Sequence, residues 1–233
     1  MRNSFFPVII FFFVVAFAQA QKIESTETRS LPTFRKINSG GEIEIVLIRG
    51  SEETAKITAK NVPLKDIRTE VRGGELLIDM EYKKYAGNNN KSIKIELTYI
   101  QLESIKISGA GSLTAESTIK APNLSIRVSG AGNINIPVET LDLKADVSGA
   151  GNLTIKGKAD KQNIEVSGAG NYKGFELATL NTTTRISGAG NVDVFVTGAL
   201  EGRISGAGGI RYKGSPKNKD IQTSGAGSAK AVE

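Results

Sequence analysis

The chain has 233 residues, 30 Lys+Arg against 24 Asp+Glu, and no Cys, His or Trp. Without Cys and His the usual zinc, copper and haem ligand sets cannot be assembled, disulfides are excluded, and so are nucleophiles that rely on a histidine base. The net charge of +6 is mild and scattered, which argues against nucleic acid, whose binders carry a concentrated basic footprint.

Residues 1–20 read as a secretory signal peptide. Arg2 supplies the positive start, Phe5 to Phe17 form an apolar run broken by Pro7, and Ala18-Gln19-Ala20 is a small-x-small cleavage site. The run is too short to span a bilayer comfortably, which takes about 20 apolar residues. No integral membrane span is expected after cleavage. Residues 21–33 are polar and read as a loose N-terminal arm.

Residues 34–107 read as an N-terminal β section. Gly41–Gly50, Glu75–Tyr82 and Ser92–Ile100 alternate apolar and polar residues, the period of a half-buried strand. Turn residues separate them at Ser39-Gly40-Gly41, Arg72-Gly73-Gly74 and Gly87 to Asn90. This section is expected to pack on, or wind into, the first coil of the repeats and to cover an open sheet edge.

From residue 108 to 233 the tetrapeptide SGAG recurs. Its serines are Ser108, Ser129, Ser148, Ser167, Ser187, Ser205 and Ser224, spaced 21, 19, 19, 20, 18 and 19 residues apart. Most copies are flanked on both sides by period-two alternation, as in Ile126-Arg127-Val128 and Ile134-Asn135-Ile136. A period near 19 residues built of short strands is one coil of a solenoid. The expected fold is all-β, a right-handed parallel β-helix (β-solenoid), because parallel crossovers favour that hand. An up-and-down antiparallel sheet would need regular hairpin turns, and the stretches between motifs ("APN", "PVET", "GKADKQ", "GALEG") are too irregular for them. The most polar of the remaining stretches, Leu180–Thr184 and Ser215–Asp220, are expected to be outward loops and points of contact.

The glycines could cradle a phosphate or form a joint. A phosphate loop opens a helix, whereas every SGAG here leads into a strand, so the joint is preferred. Stacked bends need residues that superimpose without bulk. Asn133, Asn152, Asn171 and Asn191 come after four copies and are expected to form a hydrogen-bonded column. The serines are expected to form a hydroxyl column. Ala131 and its equivalents are expected to point inward as small corner plugs.

For chemistry the chain offers carboxylates, Lys, Arg and Tyr. Asp142 and Asp146 share a strand face by parity and are the best local pair; Glu165 and Asp193 stand alone. Tyr82, Tyr85, Tyr99, Tyr172 and Tyr212 remain for sugar stacking. The preferred reading is that the carboxylates solvate the outer surface. No catalytic, cofactor-binding or metal-ligating residues are assigned, and no enzyme or cofactor is expected.

The repeated SGAGN leading into a strand, as in Gly132-Asn133-Ile134-Asn135, resembles the head GIN domain family of auto-transporter adhesins found in Bacteroidetes-like bacteria. The resemblance runs from about Phe34 to the end. It implies a β-helix-like fold and a periplasmic, cell-surface or extracellular location. The function read from these features is a non-catalytic, adhesin-like binding module, with a polysaccharide or a surface protein as partner. A carbohydrate-active β-helix enzyme and a structural envelope protein are the alternatives.

Overall fold

A computed structural model describes residues 24–80, 85 and 90–233. The segment 1–20 that reads as a signal peptide, residues 21–23, Tyr82 and all but the last residue of the Gly87–Asn90 turn lie outside the described residues. The N-terminal strands are β1 (Glu24–Ser30), β2 (Lys36–Gly40), β3 (Glu44–Arg49), β4 (Thr54–Lys60), β5 (Ile67–Arg72), β6 (Glu75–Met80) and β7 (Ser92–Tyr99). Next along the chain come β8 (Ser104–Gly109), β9 (Ser112–Ala115), β10 (Ile119–Gly130), β11 (Asn133–Gly149), β12 (Asn152–Gly168), β13 (Asn171–Gly188) and β14 (Asn191–Gly206). β15 (Gly209–Lys213), β16 (Asn218–Gly225) and β17 (Ser228–Ala231) complete the set. Among the described residues, helix is confined to the 3-10 turn Leu64–Asp66 and to Tyr85. The protein is an all-β parallel solenoid of about 7 coils.

The SGAG spacing becomes register. Val128, Val147, Val166, Ile186 and Ile204 are Cα partners in successive coils, as are Ile134, Leu153, Tyr172, Val192 and Ile210. All of these side chains are buried. Each column supplies apolar surface that one coil alone could not bury, so stacking and core formation are the same event.

Two ladders run the length of the molecule. The first carries the strand that leads into each motif: β6, β2, β8, β10, the later halves of β11 to β14, then β16. The second carries the strand that leaves it: β7, β3, β9, the early halves of β11 to β14, then β15 and β17. The stack does not run in chain order. β2 and β3 lie between the layer of β6 and β7 and the layer of β8 and β9.

Ser39-Gly40-Gly41 is therefore more than a turn. It is a corner in the same column as the SGAG motifs. Ala110 N–H donates to Gly41 O at 3.1 Å and Ser112 N–H to Ile43 O at 3.0 Å. The same two bonds recur one coil on, from Ala131 to Gly109 O at 2.9 Å and from Asn133 to Gly111 O at 3.0 Å.

Within the expected loose arm, Glu24–Ser30 form a strand and residues 31–33 do not. β1 pairs antiparallel with β4, which pairs antiparallel with β7, while β5 pairs antiparallel with β6. Arg29 is the reason a polar segment is held in place. Its guanidinium donates to Ile67 O at 2.7 Å, Leu64 O at 2.8 Å and Thr69 Oγ1 at 3.0 Å, tying β1 to the 3-10 turn and the start of β5. A short, charged edge strand on the outer layer is a poor template for another chain.

Two further expectations are corrected. Leu180–Thr184 is not a loop but the middle of β13, with Thr182 and Thr184 buried. Part of its polarity is absorbed inside the core: Gln162 Nε2 donates to Thr182 Oγ1 at 2.9 Å and Thr179 Oγ1 at 3.2 Å, and Tyr172 O–H donates to Gln162 Oε1 at 2.8 Å. Ser215–Asp220 is divided, with Ser215–Lys217 linking β15 to β16 and Asn218–Asp220 opening β16.

The second correction concerns the motif itself. The alanines, Ala131 among them, are exposed, and the second glycine of every copy but the last, such as Gly132 and Gly151, is buried. A Cβ on Gly151 would lie 2.5 Å from Val128 Cγ1 and 2.6 Å from Gly132 O. The inner corner has no room for a methyl group, so the alanine faces out. The first glycine makes the bend: Gly149 has φ +104°, and a Cβ there would meet Gly130 O at 2.6 Å.

Candidate functional site

With the inner columns given over to stacking, only outward columns are free to vary. On the first ladder these are the positions two, four and six residues before each motif serine, together with the serines. The column two before the serine reads Lys106, Arg127, Asp146, Glu165, Arg185, Arg203 in register. Two opposite-charge pairs form between its coils, while Lys106 and Arg203 form no ion pair among the described residues. Arg127 Nη2 lies 2.8 Å from Asp146, and Arg185 lies 3.9 Å from Glu165.

Two furrows flank this charged column on one face. The smaller, about 720 Å³, runs beside Ser129, Ser148, Ser167, Ser187 and Ser205. The serines stack in register, but no hydroxyl-to-hydroxyl bond joins them among the described residues. Ser108 Oγ instead donates to Ser39 O at 3.2 Å. The larger furrow, about 1140 Å³, crosses successive coils at Asn123, Asp142, Lys161 and Asn181 and beside them at Ser125, Lys144, Asn163 and Thr183. Amides, hydroxyls and spaced charges make it a hydrogen-bonding trough. Lys120 lies at its rim, with its ammonium 2.7 Å from Glu139. Donation from that ammonium holds the Glu139 carboxyl below the usual carboxylate range.

The sequence-derived carboxylates are not gathered into one site. Asp142 lines the larger furrow, Asp146 the smaller, and Asp146 is engaged by Arg127. Glu165 faces Arg185. Asp193 lies on the other ladder, where Arg211 holds it through two bonds of 2.7 Å each. Two carboxyl groups facing each other across a bond, as glycoside hydrolysis requires, are not formed by these four. Among the described residues there is no cluster of three or more Asp, Glu, His or Cys able to hold a metal ion.

The tyrosines also fall away from the furrows. Tyr99 and Tyr172 are core residues, and burial pushes the Tyr172 phenol far above its ordinary value of 10.0. Tyr85 donates to Asp66, and Tyr212 has the Lys219 ammonium over its ring. The asparagine column forms as expected on the second ladder's corner. Asn152, Asn171 and Asn191 each donate from Nδ2 to the Oδ1 of the asparagine one coil before, at 2.9, 3.0 and 3.2 Å.

The fold and this face define a class: a parallel β-solenoid whose interior is a stack of matching corners and whose outward columns make a furrowed polar surface. Within that class the chain belongs to the family described as "putative auto-transporter adhesin, head GIN domain", which matches residues 33–216. Solved structures with the same fold include a putative adhesin from Bacteroides fragilis NCTC 9343, with 23% identity, 91% of this chain and 98% of that one covered, and TM-score 0.82. A putative adhesin from Parabacteroides distasonis ATCC 8503 has 21% identity, 91% and 98% coverage, and TM-score 0.73. A protein described as a putative lipid binding protein, from the same strain of P. distasonis, has 25% identity, 90% and 97% coverage, and TM-score 0.72. No curated protein matches the chain.

Proposed function

We propose that this chain is an exported, non-catalytic, adhesin-like binding module that lays an extended glycan or protein segment along its furrowed face. The observation that carries the reading is the furrow of about 1140 Å³ running across successive coils, lined by amides, hydroxyls and spaced charges. A linear trough on a rigid repeat scaffold suits an extended ligand. The adhesin description of the family and the signal-like start of the sequence support export to the periplasm, cell surface or medium. The contacts come from strand positions more than from protruding loops, since most of the stretches between motifs are themselves strand.

The test is a glycan array together with a pull-down from envelope extracts, run on the wild type and on Ser125→Trp/Thr183→Trp. Those two outward substitutions fill the furrow without touching the core. The expected result is specific capture that the filled variant loses. Blank results in both assays at high micromolar protein, or capture indifferent to the filling, would sink the reading.

A further inference from the structure

We infer a second binding surface, on the outward face of the second ladder, that takes a carboxylate-bearing polysaccharide. It does not depend on the furrowed face. Lys156, Lys173, Arg211, Lys213 and Lys230 line the last coils of this ladder. From the coil of Lys156 to that of Lys230 there are four steps of about 4.8 Å, so the stripe is roughly 19 Å long.

The other end of the same ladder is built differently. There Lys56 and Lys94 both face Glu96, at 2.9 and 3.9 Å. In the stripe only Arg211 is paired, with Asp193. Among the described residues Lys156, Lys173, Lys213 and Lys230 form no ion pair, although Glu176 is the register neighbour of Lys156. The coils between, at Thr114, Asn135 and Thr154, carry neutral residues at the positions equivalent to Lys173.

The backbone departs from regular stacking at this place. The pairing of β13 with β14 skips between Gly174 and Ala178, and such bulges re-aim side chains. Phe175 stands on the bulge. Its ring centroid lies 5.5 Å from Arg211 Cζ and 5.4 Å from Lys213 Nζ. The ring holds two cations of the stripe in place, as cation–π contacts do. Beside them a hollow of about 320 Å³ is bordered by Asn171, Lys173, Asn191, Asp193 and Arg211.

The chemistry selects the ligand. Spaced cations call for spaced anions, unlike duplex DNA with one charge per about 1.7 Å. Single-stranded nucleic acid would want open aromatic platforms, and the Phe175 ring is engaged by Arg211 and Lys213. Asn191 Oδ1, at the end of the asparagine column, accepts no side-chain hydrogen bond among the described residues and is available to a hydroxyl. A polymer with both hydroxyl donors and isolated carboxylates, a uronic-acid polysaccharide, uses every one of these groups.

The experiment is calorimetry of the chain with an oligogalacturonate, a neutral cello-oligosaccharide of equal length, polyglutamate, and vesicles of anionic lipid. The oligogalacturonate is expected to bind, and to bind more weakly as salt rises. Lys173→Gln/Lys213→Gln/Lys230→Gln should weaken it about tenfold, near 1.4 kcal/mol. Lys144→Gln/Lys161→Gln, on the other face, should leave it unchanged. Phe175→Leu should weaken it several-fold and Phe175→Tyr, which keeps the ring, should not. The inference is overturned by no binding of oligogalacturonate, by equal binding of the neutral oligosaccharide, by loss through the Lys144/Lys161 pair instead, or by binding that Phe175→Leu leaves intact. Equally tight polyglutamate or vesicles would also overturn it, since the stripe would then be reading charge alone.

Discussion

Gly151→Ala tests the corner geometry directly. Gly151 sits at the second glycine of a central coil and is buried, with no positive φ to complicate the substitution. The added methyl would lie 2.5 Å from Val128 Cγ1 and 2.6 Å from Gly132 O. Gly132 O accepts the N–H of Asn152 at 3.0 Å, one of the bonds that stack this coil on the last. The side chain of Val128 is itself a core column residue and cannot swing away. Overpacking of this kind costs about 1–3 kcal/mol, and weakening the inter-coil bond adds about 1 kcal/mol. The expected destabilisation is thus about 2–4 kcal/mol. Urea unfolding should show a lower midpoint at unchanged slope, and heating should show a midpoint lowered by roughly 4–16 °C. Ala150→Ser, one residue away and outward, should stay within about 0.5 kcal/mol. If Gly151→Ala were as stable as wild type, or if Ala150→Ser cost as much, the assignment of glycine to the inside of the corner would be wrong.

Asn152 both donates to Asn133 and accepts from Asn171, whereas Asn191 takes part in one side-chain bond of the column. Asn152→Ala is expected to cost about 1–2 kcal/mol and Asn191→Ala about half that; equal losses in chemical unfolding would argue against a bonded column. Gln162→Leu keeps the volume but strands the buried Tyr172 hydroxyl, at about 1–3 kcal/mol, and Tyr172→Phe in the same background should recover part of it. Spectrophotometric titration should find the Tyr172 phenol silent through the ordinary tyrosine range until the chain unfolds. Its folded-state value is raised, so its stabilising effect is whole below pH about 10 and falls above it by about 1.4 kcal/mol per pH unit. A stability curve flat through alkaline pH in the wild type, or unaltered by Tyr172→Phe, would contradict the burial.

The repeat is readable because stacking forces one spacing on core and corner together. Val128 and Ile134 can be placed in the core from period two alone, and the asparagine column from position alone. Three things are hidden for physical reasons. Parity along a strand does not say which way a residue points where the chain turns, so Ala131 reads as inward. In the folded corner Ile107 Cγ2 would lie 3.0 Å from a Cβ on Gly132, which leaves the inside to glycine. Ser39-Gly40-Gly41 carries Ser39 where most later coils carry Ile or Val, and its layer is stacked out of chain order, so its kinship with SGAG emerges only through pairing. Leu180–Thr184 looks like a solvated loop because Gln162, which donates to Thr182, lies on the preceding coil and meets it only in the folded core.

The same division explains where binding chemistry resides. A residue facing the core must fit its equivalents above and below, and Gly151 shows how little latitude that leaves. An outward residue must only tolerate its neighbours in the column. Outward residues that pair between coils, such as Arg127 with Asp146, satisfy themselves. Columns that leave Lys173, Lys213 and Lys230 without ion pairs keep electrostatic attraction available for a ligand, and at a surface the cost of doing so is small, since exposed pairs are worth only about 0–1 kcal/mol. Pairing Lys173 by design, through Thr154→Glu in the adjacent coil, should therefore barely change unfolding while weakening capture of the acidic polysaccharide. A large gain in stability from Thr154→Glu, or affinity left intact, would show that the unpaired stripe is an accident of the surface and not its function.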